Sequence, residues 1–133
     1  MSVSQTFELE NMYVQLHDGP AAAPVSVDPG FWDLIEQRKE LHRGRLVVVT
    51  HQNGPSDHWE MHPAGDELLY LLSGQIDVVL EEKGAKQAVK LAPRRAVIVP
   101  QGVWHTIKVH APSDLLAITR GAGTQIRPIG NNP

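Results

Sequence analysis

The sequence predicts an all-β protein, a sandwich or barrel of short strands with one short N-terminal helix. Three observations carry that expectation. Short β-branched and apolar runs are separated by Gly, Pro and Asn. Turn signals recur about every ten residues, a spacing typical of sandwiches and barrels and not of alternating strands and helices. The chain has 133 residues, 41% hydrophobic and 20% charged, enough for one folded domain with its own core.

Taken in order, the N-terminal MSVSQTFELENMYV lacks the basic-then-apolar layout of a secretion signal. Residues 18–27 (DGPAAAPVSV) read as a loop. Asp28-Pro29 offers an N-cap followed by Pro at the first helical position. Phe31, Leu34 and Ile35 then recur at helical spacing, so a helix is expected there, fading by Arg43-Gly44. LVVVTH is a strand ended by NGPS. DHWEMH and ELLYLLS are strands divided by Pro63-Ala64-Gly65. QIDVVLEE follows Ser73-Gly74 directly, which reads as a tight hairpin. Lys83-Gly84 turns the chain into KQAVKLA; AVIVP, VWHTIKVH and DLLAITR complete the series. The tail GAGTQIRPIGNNP is rich in Gly, Pro and Asn and is expected to be loosely held. One domain is expected over residues 1–133, with the barrel core at about 45–120 and the tail at 121–133.

Composition narrows the function classes. The absence of cysteine excludes a disulfide scaffold, a thiolate nucleophile and a thiolate ligand. A net charge of −3 argues against a broad basic surface for nucleic acid. No apolar run reaches the roughly 18 residues of a membrane helix. The expectation is a cytoplasmic protein with neither nucleic-acid nor membrane partner.

The chemistry concentrates in HWEMHPAGDE. Side chains alternate across a strand, so His58, Glu60 and His62 share one face and Trp59 and Met61 the other. The polar face either meets solvent, as polar stripes commonly do, or lines a cavity. The next strand weighs on that choice. Leu69 and Leu71 lie on the face of Glu67, and Leu68, Tyr70 and Leu72 on the other, so a strand buried on both sides is expected. Glu67 then sits at the mouth of a buried face. An unpaired buried charge costs several kcal/mol, so it needs a metal ion or an arginine. His105 follows the turn Pro100-Gln101-Gly102 and shares its face with Ile107 and Val109. Alone, such a histidine is more often a satisfied core residue than a ligand; its co-occurrence with the first cluster is what counts.

These residues match a family pattern. The chain resembles the cupin superfamily of small jelly-roll β-barrels. That family's first motif is seen as Glu60-Met61-His62-Pro63-Ala64-Gly65-Asp66-Glu67, then LLYLLS and Gly74. Its second is Pro100-Gln101-Gly102-Val103-Trp104-His105, beginning 26 positions after Gly74. The resemblance implies an all-β jelly-roll barrel and a divalent metal held by Glu60, His62, Glu67 and His105. Position 60 departs from the pattern, with Glu where the family usually has His. The exchange makes the ligand set harder and more negative, favouring Mn or Fe over Cu or Ni, with Zn still permitted. His58, two residues earlier on the same face, would be a general acid/base or a flanking hydrogen-bond partner of a ligand.

The resemblance also implies a small oxygen-rich ligand, such as a dicarbonyl, hydroxy acid or catechol-like compound, and chemistry of the oxidoreductase or isomerase kind. A non-catalytic binding module is an alternative, and a metal-free cupin with a hydrogen-bonded polar cluster is another. A homodimer is expected, with Trp59, Met61, Tyr70 and Trp104 as packing or contact residues and SQTFELENMYV adding a strand to the partner. Arg43, Arg45, Arg94 and Arg95 read as surface residues, and His51 as a rim residue. His17, His42 and His110 are given no role.

Overall fold

The computed structural model describes residues 5–130. Nine strands, one helical turn and one 3-10 turn follow in the order β1 Met12–Leu16, β2 Ala22–Ser26, α1 Phe31–Leu34, the 3-10 turn Lys39–His42, β3 Arg45–Gln52, β4 His58–Met61, β5 Glu67–Glu82, β6 Ala85–Leu91, β7 Ala96–Val99, β8 Trp104–Thr119 and β9 Gln125–Pro128. All pairings are antiparallel. The expected all-β jelly roll is found, although among the described residues its hydrogen bonds do not close into a ring.

Two long strands organise the molecule. The first half of β5 pairs with β7 and with the far half of β8; its second half pairs with β6 and the near half of β8. The pairing changes between Leu71 and Ile76, where register shifts bend both strands. Ser73-Gly74 is therefore not the expected hairpin, and VWHTIKVH and DLLAITR are not separate strands. Each pair is one bent strand crossing from one layer to the other. Gly74 makes the bend feasible. Its φ is 100°, and a Cβ there would lie 2.1 Å from Ser113 Oγ. Ser113, buried, accepts a hydrogen bond from Gln75 N and donates one to Ala111 O, satisfying backbone groups that the ladder leaves open.

The core between the layers holds Leu69 and Leu71 from one half of β5, Ile76, Val78 and Leu80 from the other, with Leu91, Val99 and Leu115. The alternate face of β5 differs from expectation. Leu68 and Tyr70 are half-buried and Leu72 is exposed, so only one face of this strand is covered.

A second cluster, Tyr13, Val25, Phe31, Leu41, Leu46 and Val48, packs the N-terminal region onto β3. Residues 22–26, expected as loop, form β2 because β1 offers them a partner strand. β1 also pairs with β3 of its own chain, so Met12–Leu16 is not free to add a strand to a partner as expected. The helix is shorter than its periodicity suggests and starts at Gly30 (φ 82°), not at Asp28. Gln15 explains how the following turn is held: its buried amide donates to Glu40 O and Arg43 O.

The tail also departs from expectation. β9 pairs with β4 over His58–Met61. Residues 1–4, in the N-terminal stretch, and residues 131–133, in the tail, lie outside the described residues. Among the described residues, no helix is long and apolar enough to cross a membrane.

Candidate metal centre

Three strands and a loop deliver the polar cluster. β4 ends at Met61, and His62 follows on the loop into β5, whose first residue is Glu67. His105 lies on β8 opposite Glu60 and Leu80. The second-motif turn docks on the first-motif loop: Gln101 N donates to Asp66 Oδ1, the Gln101 amide to Pro63 O, and Gly102 N to His62 O. Two segments some forty residues apart are thereby locked together beside the cluster.

The structure brings together all four residues expected as ligands. Glu60 Oε2 lies 3.7 Å from His62 Nε2, which lies 3.3 Å from Glu67 Oε2. Glu67 Oε1 lies 3.0 Å from His105 Nε2. One donor atom each of Glu60, His62 and His105 falls within 4.8 Å of the others. A divalent ion with bonds of about 2.1 Å sets its ligands roughly 3–4 Å apart, so these separations suit one. The buried His62 Nε2, Glu67 Oε1 and His105 Nδ1 make no well-formed hydrogen bond. Buried polar atoms are rarely left so, and the first two lie within the cluster, 3.3 and 3.0 Å from an atom of another of its members. Two imidazoles and two carboxylates are ligands of the type that Mn, Fe and Zn accept.

Burial sets the direction of access. The side chains of His62, Glu67 and His105 are at most 7% exposed, while that of Glu60 is 36% exposed. The cluster opens to solvent on the Glu60 side. Burial alone would raise the carboxyl of Glu67, but the close contacts and charge of His105 and His62 bring it down to about 2. His105 is raised: burial lowers it, and contact with Glu67 outweighs that effect. His58 stands outside the inner group, with Nε2 2.9 Å from Glu60 Oε1 and Nδ1 2.6 Å from Asp57 Oδ1. Its hydrogen bond to Glu60 is the main reason its pKa rises to about 9, against partial burial and aided by Asp57.

Two threonines were not legible as site residues. Thr119 donates to Glu67 Oε2, and Thr124 Oγ1 lies 2.8 Å from His62 Nδ1. Thr119 had a faint signal: it ends the row Leu115, Ala117, Thr119 on one strand face. Thr124 had none, since nothing in GAGTQ places it beside residue 62.

The remaining expectations resolve simply. His51 pairs with Asp114 at 2.8 Å on the surface. Arg43, Arg45, Arg94 and Arg95 are all exposed. Trp59 is 3% exposed, beneath Arg127 and Lys86, which lie 5.1 and 5.3 Å from its ring. Arg127 also lies 4.6 Å from the Trp104 ring and pairs with Glu81 at 2.8 Å. Trp59 therefore packs within its own chain and is not available as a contact residue. A surface hollow of about 200 Å³ beside Asn53, Gly54 and residues 109–112 includes none of the cluster.

A cupin-domain family model matches residues 45–119, more than half the chain. Among solved structures, hydroxypropylphosphonic acid epoxidase from S. wedmorenis is similar at 24% identity over 57% of this chain, with a TM-score of 0.46; the match spans 42% of that protein. A cupin-2 domain containing protein from Shewanella frigidimarina shows 16% identity over 64% of this chain and 71% of its own, with a TM-score of 0.48. Peruvianin-I, a cysteine peptidase from Thevetia peruviana latex, shows 16% identity over 65% of this chain and 56% of its own, with a TM-score of 0.52. At these identities the likeness speaks to the fold alone. A search of curated proteins gives no match.

Proposed function

The chain belongs to the cupin domain family, and on that premise we propose that it binds a divalent metal ion through Glu60, His62, Glu67 and His105 and uses it on a small oxygen-rich molecule. The observation carrying this reading is that one donor atom each of Glu60, His62 and His105 lies within 4.8 Å of the others, with the carboxylate of Glu67 3.3 Å from His62 Nε2 and 3.0 Å from His105 Nε2. The two carboxylates favour Mn or Fe, with Zn and Ni also accommodated.

When bound, such an ion supplies Lewis-acid or oxygen-activating chemistry, as in oxidoreductases and isomerases of this kind. The chain's own residues do the rest. Leu69, Leu71 and Val78 keep bulk water from the inner side. The half-exposed Glu60 marks the side from which a dicarbonyl, hydroxy acid or catechol-like compound reaches the cluster. His58 acts as the acid: with a pKa near 9 it holds a proton at neutral pH, beside the opening, and shares it with Glu60.

A metal-free reading is favoured by one specific observation. Glu67 spans both imidazoles at 3.0 and 3.3 Å, which on its own is a closed ionic cluster. Elemental analysis separates the two. Protein stripped with a chelator and re-exposed to Mn(II), Fe(II), Zn(II) and Ni(II) is expected to take up about one ion per chain, and Glu67→Gln and His105→Ala proteins markedly less. No uptake by the wild-type protein would sink the metal reading. Turnover of the loaded protein against dicarbonyl, hydroxy-acid and catechol compounds then distinguishes an enzyme from a binding module.

The partner we assign is a second copy of the chain. Val14, Val47, Ile118, Leu68 and Ile98 are successive cross-strand partners over β1, β3, β8, β5 and β7. This row lies on the face turned away from the core, and an apolar row of this length needs a cover.

A further inference from the structure

The tail segment 121–128 reaches into the candidate metal centre through one side chain. Thr124 Oγ1 lies 2.8 Å from His62 Nδ1. The same hydroxyl lies 2.9 Å from Gly121 O, with donor geometry. A hydroxyl carries one proton. If that proton goes to Gly121 O, the oxygen can only accept from His62, so Nδ1 carries the imidazole proton. In the neutral ring Nε2 is then a bare lone pair, beside the carboxylates of Glu60 and Glu67 at 3.7 and 3.3 Å. That arrangement is a seat for a cation between the ring and the two carboxylates. The opposite tautomer would leave two lone pairs, on Nδ1 and on the Thr124 hydroxyl, facing each other at 2.8 Å with no proton between them.

We propose that Thr124 is a positioning residue: it holds the ring of His62 with Nδ1 as hydrogen-bond donor and Nε2 free to bind a cation. The proposal rests on the metal reading given above. The hydroxyl is itself held firmly. Thr124 N also donates to Gly121 O, closing a tight turn. Gly123 (φ 72°) presses on Pro63, next to His62, where an added Cβ would lie 3.2 Å from Pro63 Cγ. Immediately after, β9 is bonded to β4, and Arg127 is clasped by Trp59, Trp104 and Glu81. The tail thus fixes the angle from which the hydroxyl meets the ring. Ligating histidines generally need such a partner on the other nitrogen, and its loss costs about 10–100-fold in metal affinity.

The test compares wild-type, Thr124→Val and Thr124→Ser proteins, each stripped of metal. Imidazole 15N chemical shifts of the neutral ring report the tautomer of His62, and Co(II) titration reports affinity through the visible ligand-field bands. The expected result is an Nδ1–H tautomer in wild type, a mixed population in Thr124→Val with Co(II) binding weakened about 10–100-fold, and recovery to within about threefold in Thr124→Ser. An Nε2–H tautomer in the metal-free wild type overturns the proposal, and this measurement needs no variant to fold. Equal Co(II) affinity in wild type and a folded Thr124→Val also overturns it. Wild-type protein that binds no Co(II) defeats the metal reading instead, and the tautomer of His62 still decides the role of Thr124.

Discussion

At the scale of residues, the cluster holds opposed titrations whose signs can be worked out without metal. Glu67 falls from 4.5 to about 2, so its contribution is complete above pH 4.5 and is lost as pH drops toward 2. His105 is raised above 6.5, so its contribution is complete below pH 6.5 and is lost as pH climbs through its raised value. The metal-free cluster should therefore support the fold best between these two limits. Thermal unfolding of stripped protein across pH is expected to show this, with the acid limb flattened in Glu67→Gln; an unchanged acid limb would remove Glu67 from the account. A metal ion must displace the proton of His105, so its affinity should rise with pH as pH climbs through the raised value of that residue. Titrations in buffers of different ionisation enthalpy should show proton release on binding. Glu60, His62, Glu67 and His105 were legible because strand alternation and the two motifs name them one by one. Thr119 and Thr124 were not, because threonine is common on strand faces and in turns, and only the pairing of distant strands gives these two a partner.

At the scale of elements, the misread hinge at Ser73-Gly74 shows what local sequence leaves open. A Ser-Gly pair between two apolar runs fits both a hairpin and a bend within one strand. The choice is made by β8, whose own irregularity at Ser113 fits against Gly74. Gly74→Ala would place a Cβ 2.1 Å from Ser113 Oγ and 2.5 Å from its Cα, in a backbone conformation that L residues avoid. It should cost about 2 kcal/mol or more in urea denaturation. Gly84 is the control. It has φ 78° in the turn that was legible, Lys83-Gly84, and nothing crowds its Cβ position. Gly84→Asn should cost less than about 1 kcal/mol. Equal losses at the two sites would mean that backbone angle, and not the contact with Ser113, dominates. The tail was misread for a related reason. Its Gly and Pro content suggests looseness, while the grip on β9 comes from Trp59, Trp104 and Glu81, none of them nearby in sequence. Arg127→Ala should release β9, seen as faster amide exchange in His58–Met61, and should weaken ion binding through Thr124. Retained exchange protection would show that strand pairing alone holds the tail.

At the scale of the whole molecule, the two layers have unlike outer surfaces, and this decides where a second copy would sit. The layer containing β9, β4 and β6 shows the charged, aromatic ladder of Arg127, Trp59, Trp104, Glu81 and Lys86, its cations already stacked on rings. The other layer shows Val47, Leu68, Tyr70, Leu72, Ile98, Leu116 and Ile118, with Leu72 41% and Ile98 59% exposed. The fold class, the positions of most turns and the inward row of β5 could all be read from alternation. Which outward row would be covered by the chain itself could not, because Trp59 and Tyr70 look alike in sequence and differ only in what crosses them. The consequence is a pair of opposite outcomes. Tyr70→Glu or Ile98→Glu puts a charge into the apolar row with little effect on the core behind it, so light scattering should show a shift from dimer to monomer with the unfolding temperature nearly kept. Trp59→Glu removes the ring on which Arg127 and Lys86 rest and buries a carboxylate beneath them, so it should lower the unfolding temperature and leave the mass of the folded fraction unchanged. A monomeric wild type, or a dimer that survives both Tyr70→Glu and Ile98→Glu, would mean that the row is covered by something other than a second copy of this chain.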